Sequence, residues 1–252
     1  MIDFDNLPEP QTFNNDSDGI TKKTTHGTGI VSEFFSENVT YIECDEIDLS
    51  LLMANLNNPK FKSNLDMGIP GIETIEKNNE YIRMERSALI HNRIVKFEKG
   101  GEKEDSYNKL VKTTFFIFED FIAATGDSKA IKNTMDFLSD ILLFQLTPVI
   151  PTEIAMLRIP DRFETIENIT IDRVKHTNIK KITIYGRAQD ISDLDIKFPG
   201  YDVSSVTGVM NTKTDERRIK ISKTGKISFY KLKDKPLYIE HLKFGHSLFF
   251  SE

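Results

Sequence analysis

The sequence lacks tryptophan and contains only one cysteine, Cys44. A single thiol cannot form a disulfide within the chain, and it cannot supply a structural zinc site, which needs about four nitrogen or sulfur ligands. We therefore expect a cytoplasmic protein that folds without a structural metal. Cys44 stands in an apolar-rich run beside acidic residues. Burial and negative charge raise the pKa of a thiol, so we expect this cysteine to be a poor nucleophile.

Long apolar runs are also absent. The most apolar stretch, residues 137–150, contains several polar residues and is shorter than the ~20 residues that a membrane-spanning helix requires. Residues 1–18 have neither the basic region nor the apolar core of a signal peptide. We therefore expect no membrane partner.

Signatures of catalysis and of ligand binding are missing as well. No Gly-x-Ser-x-Gly element occurs, and Gly126–Lys129 lacks the full phosphate-binding loop, so this segment predicts an ordinary helix cap. The histidines are scattered, and His241 and His246 stand five residues apart in a segment that is typical of a strand or loop. We predict no catalytic residue, no cofactor and no metal ion.

The chain has 252 residues, of which 38% are hydrophobic, enough to build a sizeable core. Its patterns predict an α+β protein, mainly an antiparallel sheet with a few packed helices. We expect a polar, partly ordered arm over residues 1–26, an α+β core domain over residues 27–160, and a β-rich subdomain with a basic hairpin over residues 161–252.

The clearest local signal lies in residues 113–142. An apolar run over 113–124, interrupted by Glu119 and Asp120, predicts two core strands around a turn or one long bent strand. After it, Asp127 and Ser128 can cap a helix with one apolar stripe. An earlier helix is expected at Leu51 to Leu56, capped by Asp45 or Asp48 and ended by Pro59.

Other patterns predict strands and turns. Hairpins are expected where residues 29–35 meet 39–44, 168–176 meet 179–187, and 218–222 meet 227–232. Further strands are expected over 81–86 and 89–97. Residues 58–80 favour a loop, and residues 99–108 favour a charged turn.

Charge is distributed unevenly along the chain. Residues 1–150 carry a net charge of minus 10, and residues 151–252 carry plus 4, within the total of minus 6. A row of cations on strands suits a phosphate backbone, although lysines on an exposed hairpin also keep a sheet edge soluble. Residues 213–235 hold nine of the basic residues, which we predict as nucleic-acid contacts: Lys213, Arg217, Arg218, Lys220, Lys223, Lys226, Lys231, Lys233 and Lys235. Additional contacts are expected from Arg173, Lys175, Lys180 and Lys181.

One stretch resembles a known group of proteins. Residues 113–129, Thr-Thr-Phe-Phe-Ile-Phe-Glu-Asp-Phe-Ile-Ala-Ala-Thr-Gly-Asp-Ser-Lys, the helix after them and the Pro148-Val-Ile-Pro151 crossing are similar to the core of the RdgC-like and RexA-like phage-exclusion proteins. The later Ile-Thr-Ile-Tyr-Gly-Arg run over 182–187 is similar to a RexA-like strand. The resemblance covers about 80 residues. It implies a homodimer that binds double-stranded DNA with little sequence preference, without catalysis, in conflict between phage and host.

Three functions stay open at this point. The first is non-catalytic binding of double-stranded DNA or another polyanion through the basic hairpin. The second is a protein-binding module of a defence or counter-defence system, which engages a basic partner through the acidic N-terminal half. The third is a metal-dependent nuclease that uses Asp193, Asp195 and Lys197, a pattern similar to the second half of a nuclease site.

Overall fold

The computed structural model describes residues 30–32, 36–98, 101–172, 181–185, 202–212, 215–230 and 237–250. These residues form mainly an antiparallel sheet with a few packed helices, which confirms the predicted architecture. Over these ranges, no helix is long and apolar enough to span a membrane. The helices are α1 (Leu49–Leu56), α2 (Ser128–Leu142), α3 (Glu153–Arg158) and α4 (Ile239–Phe250), with 3-10 turns at Pro59–Phe61 and Ile159–Arg162.

The strands lie in two sheets. A small sheet pairs β1 (Ile30–Ser32) with β13 (Leu237–Tyr238). The large sheet has the order β3-β4-β5-β6-β2-β12-β11-β10-β8-β9, and β7 pairs with β2. Its strands are β2 (Ser36–Glu43), β3 (Gly71–Lys77), β4 (Ile82–Glu98), β5 (Gly101–Ile117), β6 (Phe121–Gly126), β7 (Thr147–Pro148), β8 (Thr165–Asp172), β9 (Lys181–Tyr185), β10 (Asp202–Asn211), β11 (Glu216–Ser222) and β12 (Lys226–Tyr230).

Helices pack on opposite faces of the two halves of this sheet. On one face, α1 and α2 cover β4, β5 and β6, where Leu52 and Leu138 share a core with Phe115. On the other face, α3 and α4 cover β10, β11 and β12, and Leu242 shares a second core with Phe229. The face of β8, β10, β11 and β12 that lies on the α2 side contributes no residue to either core. That face is therefore left polar.

Two predicted helices are confirmed together with their caps. The carboxylate of Asp48 accepts hydrogen bonds from the backbone of Ser50 and Leu51 at the start of α1. Asp127 accepts from Lys129 and Ala130 at the start of α2. These bonds satisfy N–H groups that have no partner within a helix. The strand pair over 113–124 and the hairpins β8–β9 and β11–β12 are also confirmed in the described residues.

Three predictions about strands are wrong. The first strand does not form a hairpin with β2, because β1 pairs with β13 while β2 lies between β6 and β12. The expected loop over 58–80 contains β3. The expected charged turn over 99–108 lies mostly in β5, which pairs with β4 over 17 residues each. These segments carry few buried residues, so no apolar alternation marks them as strands.

Strands from both sides of the predicted boundary at residue 160 lie in one sheet, and the boundary itself stays a prediction. Strand β2 from the expected core domain hydrogen-bonds to β12 from the expected basic subdomain. The expected arm over residues 1–26 lies outside the described residues.

Leu143 generates a prediction about stability. It ends α2 with φ of 62°, a left-handed conformation that no other non-glycine residue adopts in the described ranges. Its side chain is 90% exposed, so little packing is lost on truncation. We expect Leu143→Gly to stabilise the fold by about 1 kcal/mol, because glycine has no β-carbon to strain this conformation.

Urea or thermal unfolding measures this change, and Leu143→Ala is the matched control because alanine keeps the β-carbon. Equal stability of the glycine and alanine variants would show that the left-handed conformation carries no cost.

Candidate nucleic-acid interface

The β11–β12 hairpin carries the residues that the sequence singles out. Along β11, Ile219 and Ile221 are buried, whereas Arg218 and Lys220 point to the opposite face. The hairpin turns at residues 223–225, where Gly225 has φ of 76°. A β-carbon there would overlap the carbonyl oxygen of Val149, so only glycine lets this turn pack against the chain.

The predicted residues occupy three kinds of place. Arg217 is only 1% exposed and points into the core, so it is excluded from the exposed face. Because side chains alternate along β11, Arg217 points to the same face as the buried Ile219. The number of charges in the segment does not show this. The remaining described members are Arg218, Lys220, Lys223 and Lys226, together with the expected addition Lys181 on β9. Outside the described residues lie Lys213, Lys231, Lys233 and Lys235, with Arg173, Lys175 and Lys180, and Asp193, Asp195 and Lys197 of the nuclease alternative.

Two of these cations are engaged in ion pairs. The guanidinium of Arg218 donates from Nε to the Glu167 carboxylate at 2.8 Å and lies over the ring of Tyr230. Lys223 Nζ lies 2.8 Å from Asp172 and 3.0 Å from Asp202. These ion pairs connect the β11–β12 hairpin to β8 and β10. They also neutralise part of the positive charge that the sequence suggests.

Lys220 and Lys226 are different, since neither forms an ion pair with any carboxylate in the described ranges. They lie on neighbouring strands and on the same face, because Lys220 pairs with Ser228, two residues from Lys226. Such diagonal neighbours are about 7–8 Å apart. We call the polar, α2-side face of β8, β10, β11 and β12 that carries Arg218, Lys220 and Lys226 the basic face.

Polar side chains from distant parts of the chain border the basic face. Lys226 Nζ donates to Ser128 Oγ at 2.6 Å, in the first turn of α2. Ser228 Oγ donates to Asn38 Oδ1 at 2.5 Å across the β2–β12 pair. Hydroxyl and amide groups of this kind bind phosphate oxygens. The sequence does not single them out, because they join the face only through pairings between segments about a hundred residues or more apart.

Arg217 belongs to a buried polar cluster with Asp215 and His241. Its Nη2 donates to Asp215 Oδ2 at 2.6 Å. The backbone N–H of Tyr238 donates to His241 Nδ1, so Nε2 carries the proton and donates to Asp215 Oδ1 at 2.9 Å. The cluster ties α4 to the turn between β10 and β11.

Burial is the largest single influence on the pKa values of His241 and Asp215 in this cluster. Burial lowers the pKa of His241, and the adjacent Arg217 lowers it further, although the hydrogen bond to Asp215 acts in the opposite direction. Burial by itself raises the pKa of Asp215, but the hydrogen bonds from His241 and Arg217 outweigh it and hold that pKa below its ordinary value. The hydrogen bonds of His241 to Asp215 and to the backbone of Tyr238 hold its ring between α4 and the start of β11, which gives the cluster a structural role.

Burial also affects the thiol of Cys44, the one cysteine of the sequence. Burial, with the negative charges of Asp120 and Asp45, raises the pKa of Cys44 to about 12, in the direction that the sequence predicts. The segment with His241 and His246 is the helix α4, so the expected strand or loop is wrong. In the part of the chain that the structure describes, no three metal-ligating side chains come together.

The chain matches no protein-family model and no curated protein sequence.

The buried cluster generates a prediction about pH. The unfolded chain protonates its histidines near their ordinary pKa of 6.5, whereas folding lowers the pKa of His241 and also of His246. Protons then bind more readily to the unfolded chain, so stability is full above pH 6.5 and falls as the pH drops below it. Replacing His241 with Asn removes buried hydrogen bonds at a cost of about 1–3 kcal/mol and should weaken this pH dependence.

Urea unfolding between pH 7.5 and pH 5 measures both effects, with exposed His91→Asn as the control that keeps the wild-type slope. An unchanged slope in His241→Asn would contradict the assigned titration.

Proposed function

We propose that this α+β protein binds double-stranded DNA, or another polyanion of the same charge density, without sequence preference and without catalysis, through its basic face. The observation that carries the proposal is the pair Lys220 and Lys226, two half-buried cations on one polar sheet face without a carboxylate partner in the described ranges. Each DNA strand carries one phosphate for about every 3.4 Å of helix axis, so cations about 7–8 Å apart can contact phosphates of the same strand.

The neighbouring groups support the same function. Asn38, Ser228 and Ser128 offer hydrogen-bonding groups beside the two lysines. None of them distinguishes one base from another when it contacts only phosphate, so the expected binding is nonspecific and sensitive to salt. The acidic residues at Glu167, Asp172 and Asp202 hold Arg218 and Lys223, which sets a modest affinity.

The resemblance of residues 113–151 to RdgC-like and RexA-like proteins supports the same function. It adds a biological setting, a cytoplasmic homodimer acting in conflict between phage and host. Light scattering of the purified protein tests the dimer directly.

Neutralising Lys220 and Lys226, the two lysines without a carboxylate partner in the described ranges, tests the proposed face. We expect Lys220→Gln combined with Lys226→Gln to weaken binding to duplex DNA at least about tenfold at low salt. The slope of log affinity against log salt should also fall in magnitude by about 2, since each lysine on a phosphate contributes about 0.9. Fluorescence anisotropy with a labelled duplex at several salt concentrations measures both quantities.

The matched control is Lys60→Gln with Lys62→Gln, which removes the same charge from the exposed segment after α1. A wild-type protein that binds no duplex at micromolar concentration in low salt would rule out the proposal. Equal affinity of the two double variants would rule out this face.

A second candidate function is binding of a basic protein partner by the acidic first half. The observation in its favour is a cleft of about 560 Å³ at the start of α1, whose lining includes Glu46, Asp48 and Glu119. Lys77 is the one cation that lines it. The cleft lies apart from the residues that form the basic face.

Charge reversal separates the two candidates. If a host protein binds this cleft, Glu46→Lys with Glu119→Lys should abolish its co-purification, because the variant places two cations against a basic partner. The control, Glu102→Lys with Glu104→Lys on exposed positions of β5, should retain it. Loss of the partner in Lys220→Gln with Lys226→Gln alone would contradict binding through the cleft.

A further inference from the structure

The β4–β5 hairpin extends far beyond the body of the protein. Its outer part, residues 91–98 of β4 and 101–109 of β5, forms a two-stranded antiparallel ribbon whose described side chains are exposed, except for the half-buried Asn92. We call this part the β-ribbon. It rises about 3.3 Å per residue, so nine residues reach about 30 Å. No helix of the described residues packs on its outer two thirds.

Charge divides the two faces of the β-ribbon. Residues that pair across neighbouring strands have their side chains on the same face of the sheet. The pairing runs from Lys226 through Thr40, Ala124 and Phe115 to Met84, and the last three share a core with α2. Residues in phase with Met84 and Phe115 therefore lie on the α2 side of the sheet, as Lys226 does. The opposite face of the β-ribbon carries one arginine, Arg93, and two glutamates, Glu102 and Glu104. Among the residues whose side chains the structure describes, the α2-side face carries one aspartate, Asp105, and three lysines, Lys96, Lys103 and Lys109.

Two of these lysines are free of ion pairs. Lys96 Nζ binds Asp105 at 2.6 Å, but Lys103 and Lys109 have no carboxylate partner in the described ranges. Both are exposed. The face that continues from the basic face is thus net positive and presents cations that are available to a ligand.

A continuous line of contacts joins the basic face to the β-ribbon. Lys226 Nζ binds Ser128 Oγ in the first turn of α2, and the next residue, Lys129, places its Nζ 3.5 Å from Asn92 Oδ1 on the β-ribbon. Lys129 is exposed, and it forms no ion pair with a described carboxylate. The first turn of α2 therefore places Lys129, beside the capping carboxylate of Asp127, between the two surfaces.

We propose that the nucleic-acid site continues from the basic face onto the β-ribbon, and that its ligand is duplex DNA contacted by Lys103, Lys109 and Lys129 as well as by Lys220 and Lys226. This inference rests on the proposed function. Strand β5 lies three strand spacings, about 14 Å, from β12, and the pairing sets Phe115 level with Lys226, so Lys109 lies about 20 Å and Lys103 about 40 Å further along the sheet. The lysines therefore form a line on one face that can follow the phosphates of a duplex over several base pairs. A two-stranded ribbon also has a shape that the major groove admits.

The spacing within the β-ribbon sets the length of DNA covered. Six residues separate Lys103 from Lys109, which places them about 20 Å apart along β5. At about 3.4 Å per base pair, this distance corresponds to about six additional base pairs. The β-ribbon should therefore matter for long duplexes and not for the shortest that bind.

The test compares Lys103→Gln, Lys109→Gln and Lys129→Gln in one triple variant with the wild-type protein, on duplexes of about 10 and about 20 base pairs. We expect the triple variant to lose affinity about tenfold or more on the longer duplex, with a salt slope smaller in magnitude by up to about 3. On the short duplex the loss should be within about threefold. Arg93→Gln, on the opposite face of the same ribbon, is the matched control and should leave affinity within about twofold.

The outcomes distinguish this inference from the function on which it rests. If the triple variant binds both duplexes as Arg93→Gln does, while Lys220→Gln with Lys226→Gln still weakens binding, the β-ribbon is excluded and the basic face stands. If the wild-type protein binds neither duplex, both proposals fail. Equal losses on single-stranded DNA of the same length would overturn the assignment of duplex DNA as the ligand. Thermal unfolding of each variant checks that the fold is retained.

Discussion

The pairing of β2 with β12 is the constraint on which the rest of the structure depends. Strand β2 lies between β6 and β12, and Val39, Tyr41 and Ile42 on it have no exposed surface. Successive side chains of β2 point to opposite faces of the sheet, so Tyr41 packs in the core on the α4 side and Ile42 in the core on the α2 side. The hydrogen bond between Asn38 and Ser228 joins residues 190 apart in the sequence. One strand thus unites an acidic half and a basic half of the chain in a single sheet.

The placement of helices on that sheet explains why one surface is polar. Helix α2 covers the core on one face of β4, β5 and β6, and α4 covers the core on the opposite face of β10, β11 and β12. The α2-side face of β8, β10, β11 and β12 has no helix in the described ranges, and it carries Lys220 and Lys226 instead of apolar groups. Local polarity of this kind, rather than the net charge of minus 6, decides whether a polyanion can approach.

Sequence patterns predicted the elements that neighbouring residues determine, and they missed the contacts that depend on pairing between distant segments. Helix α2 was predictable because Asp127 caps it and its apolar residues recur at helical spacing. The β4 half of the β-ribbon was predictable as a strand over 89–97, but its β5 half was not, since residues 101–109 are mostly polar on both faces and no buried side marks the strand period. The basic hairpin was predictable as a hairpin, but the burial of Arg217 was not, because its partners Asp215 and His241 come together only when α4 packs. The same holds for Ser128 and Asn38 beside the lysines.

Lysine footprinting tests the central claim most directly. The protein is acetylated at low salt with and without excess duplex DNA, and the modification of each lysine is measured by mass spectrometry. The account predicts that DNA protects Lys220 and Lys226, while Lys243, which binds Glu80 on the α4 side, keeps its reactivity. Uniform reactivity with and without DNA, or protection of Lys243 in place of the other two, would contradict binding through the basic face.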